Sequence, residues 1–383
     1  MKVGRRSNVP GFIVMDVMKA AAERQATGAD VLHMEVGQPA TGAPKGAIAA
    51  VKAALDGDVL GYTLALGIEP LRQRIARHYQ EMYGLAVPAE RIAVTTGSSG
   101  AFLLAFLAAF DPGDKVAILR PGYPCYRHIL STLQIEVVEV PVGAETGFQP
   151  TPAMLDAAGG ADLAGLLIAS PANPTGSMLS PAQLAELVGY CRDRGIRFIS
   201  DEIYHGITFA EPAATAEACD DHVIVINSFS KYFSMTGWRV GWMVLPEELV
   251  RPVERLAQNL FISPPAISQV AALAAFDCRD ELAGNVARYA ANRELLLREL
   301  PKAGLNRFAP ADGAFYIYVD VRRLTNDSGA FCKEMLQVTG VAATPGLDFD
   351  QVDGGGYVRF CFAGATETMA TAADRLKEWL GRI

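Results

Sequence analysis

Lys231 lies in the stretch NSFSKYFSMTGWRVGW, residues 227 to 242, among hydroxyls and aromatics and directly after the apolar run VIVIN. Partial desolvation in such a setting lowers an amine's pKa toward neutrality, and a neutral lysine attacks carbonyls to form Schiff bases. A lysine whose stem packs while its head reaches solvent is the plainer reading of the residue alone. The same stretch holds Ser228, Ser230 and Arg239. Two hydroxyls and a planar guanidinium suit a phosphate dianion.

Four other short stretches carry residues of comparable chemistry. Gly97, Ser98 and Ser99 open a helical pattern, offering bare amides and a helix N-terminus to a phosphate; taken alone, such a turn is usually a simple N-cap. Tyr123, in PGYPCY, could lay its ring on a flat ligand or merely pack its loop. Asn173, in PANPTG, makes a good turn and has an amide free to meet a ligand oxygen. Asp201, in SDEIY, is a carboxylate at the end of an apolar run, where it needs a partner: a structural ion pair or a buried ligand cation.

These stretches share a position relative to the elements that must hold them. Near-continuous apolar runs, the pattern of strands buried on both faces, occur at 91–96, 115–119, 135–140, 165–170, 196–200, 222–227 and 239–245. Helical patterns follow several of them, at 98–110, 181–195 and 246–260. Alternating β and α elements predict an α/β fold with a mostly parallel central sheet covered by helices on both faces. In such sheets ligands bind at the carboxyl ends of the strands, where these residues fall. Beyond residue 264 the pattern changes to a long helical segment broken near 277–280, then GAFYIYVDV, GVAATPG, YVRFCFA and an amphipathic end. This predicts a smaller α+β domain. The division expected is a large domain over 45–280 and a small one from 1–44 and 281–383.

A net charge of −8 with dispersed Lys and Arg excludes a basic stripe for nucleic acid. The six cysteines form no CxxC pair or Cys/His cluster, so no metal site is expected, and they fit reduced thiols of a cytoplasmic protein. The longest apolar run, AFLLAFLAAF, is about half a membrane span and reads as a buried helix. No membrane association is expected.

Together the residues ask for a flat, phosphorylated ligand bearing a carbonyl and a ring nitrogen. Pyridoxal phosphate meets each demand: its aldehyde takes Lys231, its pyridinium Asp201, and its phosphate the serines, the arginine and the helix N-terminus.

The chain resembles the class I/II aminotransferases, pyridoxal-phosphate enzymes of fold type I. The resemblance runs from VGQP (36–39) to VRFCFA (358–363) and is most specific at NPTG (173–176), SDEIY (200–204) and the Lys231 stretch. It implies an amino-group transfer between an L-amino acid and a 2-oxo acid by ping-pong kinetics. It gives Lys231 the Schiff base and the Cα proton, Asp201 the pyridinium, and Asn173 and Tyr204 the ring oxygen. Tyr123 stacks on the ring. Gly97, Ser98, Ser99, Ser228, Ser230 and Arg239 surround the phosphate, and Arg359, Asn173 and the Gly37 backbone hold the substrate carboxylate. Tyr62, in GYTLALGIEPLR, looks like the tyrosine that reaches the partner subunit's phosphate, implying a homodimer with shared sites. Some aspartate-accepting relatives carry a lysine shortly after the phosphate-loop glycine, where Ser99 stands here, so a neutral donor, alanine or an aromatic amino acid, is expected. A C–S lyase acting by β-elimination would use the same residues. A ligand-sensing domain of a transcription regulator would need a DNA-binding region, and the roughly 35 residues before VGQP show no helix-turn-helix pattern.

Overall fold

The computed structural model describes residues 1–382. In chain order the elements are α1 (Ile13–Ala26), β1 (Leu32–His33), α2 (Lys45–Gly57), α3 (Glu69–Tyr83), β2 (Ile92–Thr95), α4 (Gly97–Ala109), β3 (Lys115–Arg120), α5 (Pro124–Thr132), β4 (Glu136–Pro141) and α6 (Pro152–Ala157). Next come β5 (Leu163–Ala169), α7 (Pro181–Arg194), β6 (Arg197–Asp201), β7 (Ile224–Ser228), β8 (Gly241–Val244), α8 (Glu247–Leu260), α9 (Ala266–Ala275) and α10 (Arg279–Glu299). The chain ends with β9 (Tyr316–Asp320), α11 (Ser328–Thr339), β10 (Val341–Ala342), β11 (Thr344–Pro345), β12 (Tyr357–Cys361) and α12 (Thr366–Leu380).

Seven strands form the central sheet, in the order β2-β8-β7-β6-β5-β3-β4. Strand β8 runs antiparallel to β2 and β7, and the other pairings are parallel. All seven apolar runs are strands of this sheet. Their alternate residues enter different cores, as the two-residue period of a strand requires. Leu166, Ile168, Phe198 and Val225 pack with α3, α7 and α9. Leu167, Ile199, Ile224 and Ile226 pack with α4, α5 and α8. Both faces are therefore covered, which explains why the strands read as continuous apolar runs.

Local chemistry sets the helix ends. Ser180 and Gln183 form a reciprocal capping box at the start of α7, Pro181 takes its first turn, and Gly195 closes it at φ 68°. The break expected near 277–280 separates α9 from α10. Helices α1, α2, α3, α5, α6 and α11 were not assigned from the sequence. Helix α3 carries a legible signal, Leu71, Ile75 and Tyr79 at four-residue spacing and all buried.

The second sheet, β11-β12-β9, is antiparallel, and β1 pairs in parallel with β10. Residues 32–34 thus join the C-terminal part of the chain through Leu32 N to Gly340 O and Met34 N to Ala342 O. Helix α2, by contrast, packs on α9.

Phe229 anchors the turn after β7. It is fully buried, with ring centroids 4.7 Å from Phe233, 5.0 Å from Trp242 and 5.3 Å from Phe276. Phe229→Ala is expected to cost about 3–5 kcal/mol, seen as a lower urea midpoint with the far-ultraviolet spectrum retained before the transition.

Candidate active site

The carboxyl ends of β2, β3, β5, β6 and β7 meet the second sheet at a cavity of about 420 Å³. Its walls include Gly37, Ser98, Ser99, Tyr123, Asn173, Asp201, Tyr204, Ser230, Lys231, Arg239 and Arg359, so the structure brings these sequence-predicted residues together. Arg239 precedes β8 in the chain. Because β8 is antiparallel, its start lies at the same sheet edge as the ends of its neighbours.

Three predicted residues lie elsewhere. The Ser228 hydroxyl is buried and bonded to Ser230 Oγ at 2.9 Å and Val240 O at 3.2 Å. Gly97, at φ +73°, sits behind the wall, and a Cβ there would come within 2.4 Å of Arg239 Nη2. Tyr62 is 84 % exposed, beside Phe261 and Pro264 at a different surface depression.

Lys231 Nζ donates to Gly37 O at 2.5 Å. Burial, helped by Arg359 and Arg239 and opposed by Cys361 and Asp201, lowers the Lys231 pKa to about 8. Asp201 is raised to about 6, chiefly by burial. Its carboxylate accepts from the Tyr126 hydroxyl and from Ile203 N at 3.1 Å, and both bonds favour the charged form. The Tyr204 hydroxyl meets that of Tyr316 at 2.6 Å, and burial raises the pKa of both.

Arg359, only 4 % exposed, lies between the Tyr316 and Phe349 rings, 4.4 and 4.7 Å from their centroids. It donates to Asn173 Oδ1 at 2.9 Å, Glu35 O at 2.5 Å and Thr344 Oγ1 at 3.1 Å, while its Nε has no partner. No carboxylate lies within 4 Å of Arg359, Arg239 or Lys231 among the described residues. Asp201 is the one acidic residue in the cavity wall among them. Three cations facing one carboxylate make a site for anionic groups.

Sequence reasoning missed Tyr126, Tyr316, Thr236, Gln38, Val36 and the α1 residues Val14, Met15 and Met18, all of which line the cavity. Tyr126 falls within the quoted run PGYPCY, three residues after Tyr123, a spacing that puts both on one side of a helix start. Tyr316 had the strand period as its signal. Nothing in α1 itself marks it as a wall of this cavity.

The family described as aminotransferase class I and II matches residues 29–376. The chain belongs to this family. It is 50 % identical to a valine–pyruvate aminotransferase of Mycobacterium tuberculosis, over 99 % of this chain and 98 % of that one. A crystal structure of an aminotransferase from M. tuberculosis superposes with a TM-score of 0.98 at 49 % identity, covering all of both chains. The aspartate aminotransferase from Thermus thermophilus with maleate gives 0.93 at 29 % identity, covering 99 % of each. The fold is that of fold-type I aspartate aminotransferases, and this aminotransferase transfers an amino group between an amino acid and a 2-oxo acid. No helix of the described residues is long and apolar enough to cross a membrane.

The depressed pKa of Lys231 has a direct readout. Its acetylation by acetic anhydride in apoprotein, followed by peptide mass spectrometry, is expected to rise with pH about a midpoint near 8, against the ordinary lysine value of 10.5.

Proposed function

We propose that this aminotransferase works with pyridoxal phosphate held in the cavity, on a neutral amino acid donor, in a homodimer with shared sites. The observation that carries it is the set of unpaired cations, Lys231, Arg239 and Arg359, around the single carboxylate of Asp201. The residues fit the group: the orphaned Arg359 Nε awaits an anion, and a ring cation beside Asp201 would relieve the burial that raises its pKa. When bound, pyridoxal phosphate supplies an electron sink for the negative charge left at the substrate Cα.

Each role then belongs to this chain. Lys231 would hold the aldehyde carbon through Nζ and, as a free amine, would carry the Cα proton as a general base. Asp201, oriented by Tyr126 and Ile203 N, holds the proton of the ring nitrogen. Asn173 and Tyr204 face the ring oxygen, and Tyr123 packs on the ring. Ser98, Ser99, Ser230 and Arg239, with the α4 N-terminus, hold the phosphate, while Ser228 and Gly97 set the positions of Ser230 and Arg239. Arg359 clamps the substrate carboxylate, oriented by Asn173 and aided by the Gly37 backbone. We read residues 45–280 as the cofactor domain and 1–44 with 281–383 as the smaller domain, and the kinetics as ping-pong.

Val14, Met15, Met18 and Val36 give the cavity an apolar wall, and among the described residues no fourth cation lines it to meet a side-chain carboxylate. This favours an aliphatic donor. Valine with pyruvate, the pair in the name of the 50 % identical relative, is the first pair to test. Mixing the purified enzyme with single amino acids and following the cofactor absorbance gives the half-reaction. Valine and alanine should bleach the band and aspartate should not; a preference for aspartate would overturn the donor reading. Release of oxo acid should cease after one turnover without an acceptor, whereas continuous pyruvate release would mark a β-eliminating lyase.

The exposed Tyr62 generates a separate expectation. Tyr62→Ala and Lys231→Ala variants, each weak alone, should regain up to about a quarter of wild-type sites when mixed and allowed to exchange subunits. No recovery after demonstrated exchange would place Tyr62 outside the partner's site.

A further inference from the structure

Glu202 adjoins Asp201 in sequence but faces the other side of the sheet. Asp201 points toward α5 and Tyr126, while Glu202 turns, with Ser200, toward α3. Its side chain is 1 % exposed. Its two oxygens have unequal surroundings. Oε1 accepts from Ser200 Oγ at 3.1 Å, Thr215 Oγ1 at 3.1 Å and Ala216 N at 2.8 Å. Oε2 has no hydrogen-bond partner and lies 3.4 Å from His205 Nδ1.

The tautomer of His205 follows from its neighbours. Nε2 lies 3.0 Å from the Ser170 carbonyl, which only accepts, so Nε2 carries a hydrogen. Nδ1 of a neutral ring is then an acceptor, and Tyr83 Oη donates to it at 2.7 Å. Beside the neutral ring, an ionised Glu202 would leave an unpaired carboxylate oxygen against the acceptor side of Nδ1 in a buried site, which is costly. A carboxylic acid resolves the conflict: Oε1 is the carbonyl oxygen that takes three donors, and Oε2 carries the proton, which removes the negative charge beside Nδ1, whose lone pair Tyr83 already takes.

We propose that Glu202 is a protonated acid that, with His205 and Tyr83, forms a positioning network behind the active site, keeping Asp201 as the sole negative charge at the ring nitrogen. The network reaches the site at two points. Glu202 continues the backbone of Asp201, and His205 ties down Ser170, whose N in turn bonds Asp201 O at 3.3 Å and which leads into the turn bearing Asn173. Burial raises the Glu202 pKa to about 7 and lowers that of His205 to about 4, consistent with one proton held on the acid. The titratable groups facing this pair are Tyr79, Tyr83 and His78 of α3, Asp201, Cys219, and Glu217, which is itself paired with Arg91 at 2.6 Å. None offers Glu202 a cation. Ionising it adds a second buried negative charge near Asp201, which raises the Asp201 pKa in turn.

The role of Glu202 in catalysis rests on the reading of Asp201 above; its protonation does not, and the test separates them. Infrared difference spectra of the purified holoenzyme, wild type minus Glu202→Gln, should contain the carbonyl stretch of a protonated carboxylic acid, lost as pH rises through about 7. Glu202→Gln reproduces the donor and the acceptor of the acid, so it should keep kcat and KM within about threefold of wild type, while Glu202→Ala should lower kcat about tenfold or more with KM less affected. Absence of the acid band overturns the protonated state whatever the cofactor proves to be. A Glu202→Gln loss as large as that of Glu202→Ala would mean the charge is needed, and overturns it too. A band present with Glu202→Ala fully active would refute the positioning role. Should Glu202→Ala fail to fold, Glu202→Asp takes its place, since its shortened acid cannot reach His205.

Discussion

Unpaired positive charge around one cavity governs this protein. Arg359 is nearly inaccessible to solvent yet meets no carboxylate, and Lys231 and Arg239 share the same cavity with Asp201 alone to balance them. A guanidinium buried without a carboxylate, as Arg359 is, costs free energy that a bound anion offsets. The arrangement also tunes the groups that react. Burial beside two guanidinium groups leaves more of Lys231 as the free, nucleophilic amine near neutral pH, while burial makes Asp201 hold its proton more tightly unless a cation faces it. The cavity is thus prepared for a ligand with a phosphate or carboxylate at its ends and positive charge near Asp201.

The sheet exists to hold these charges at fixed separations. Five strand ends converge on one edge, and the reversed direction of β8 delivers Arg239 to that edge as well. The second sheet supplies Arg359 and Tyr316 from the opposite wall. Close approach demands glycine in two places. A Cβ on Gly37 would fall 2.0 Å from Tyr316 Oη, and one on Gly97 would strike Arg239. Behind the edge, Tyr126 on one face and the Glu202–His205 pair on the other fix the β6 terminus from both sides.

The legible part of this design was the part written in local pattern. Strands buried on both faces announce themselves as apolar runs, and Lys231, Asp201, Asn173 and Tyr204 stand directly beyond them. What escaped depends on contacts distant in sequence. Helix α1 lines the cavity because Asp348 accepts from Ile13 N at 2.9 Å and Val14 N at 3.3 Å, more than three hundred residues away, and no local periodicity encodes that. Spacing could place Tyr126 and Tyr316 on the right face of their elements, but only their hydroxyl partners separate them from ordinary core aromatics. Ser228 and Gly97 belong to the right stretches but act one layer back, a distinction that side-chain direction decides and residue type does not.

On the reading proposed above, Lys231 is the covalent anchor of a carbonyl cofactor. Borohydride reduction of the protein as isolated, followed by tryptic mass mapping, tests it most directly. The account predicts a phosphopyridoxyl mass increment on the peptide containing Lys231 and no other. An increment on a different lysine, or none after saturation with pyridoxal phosphate, would contradict it.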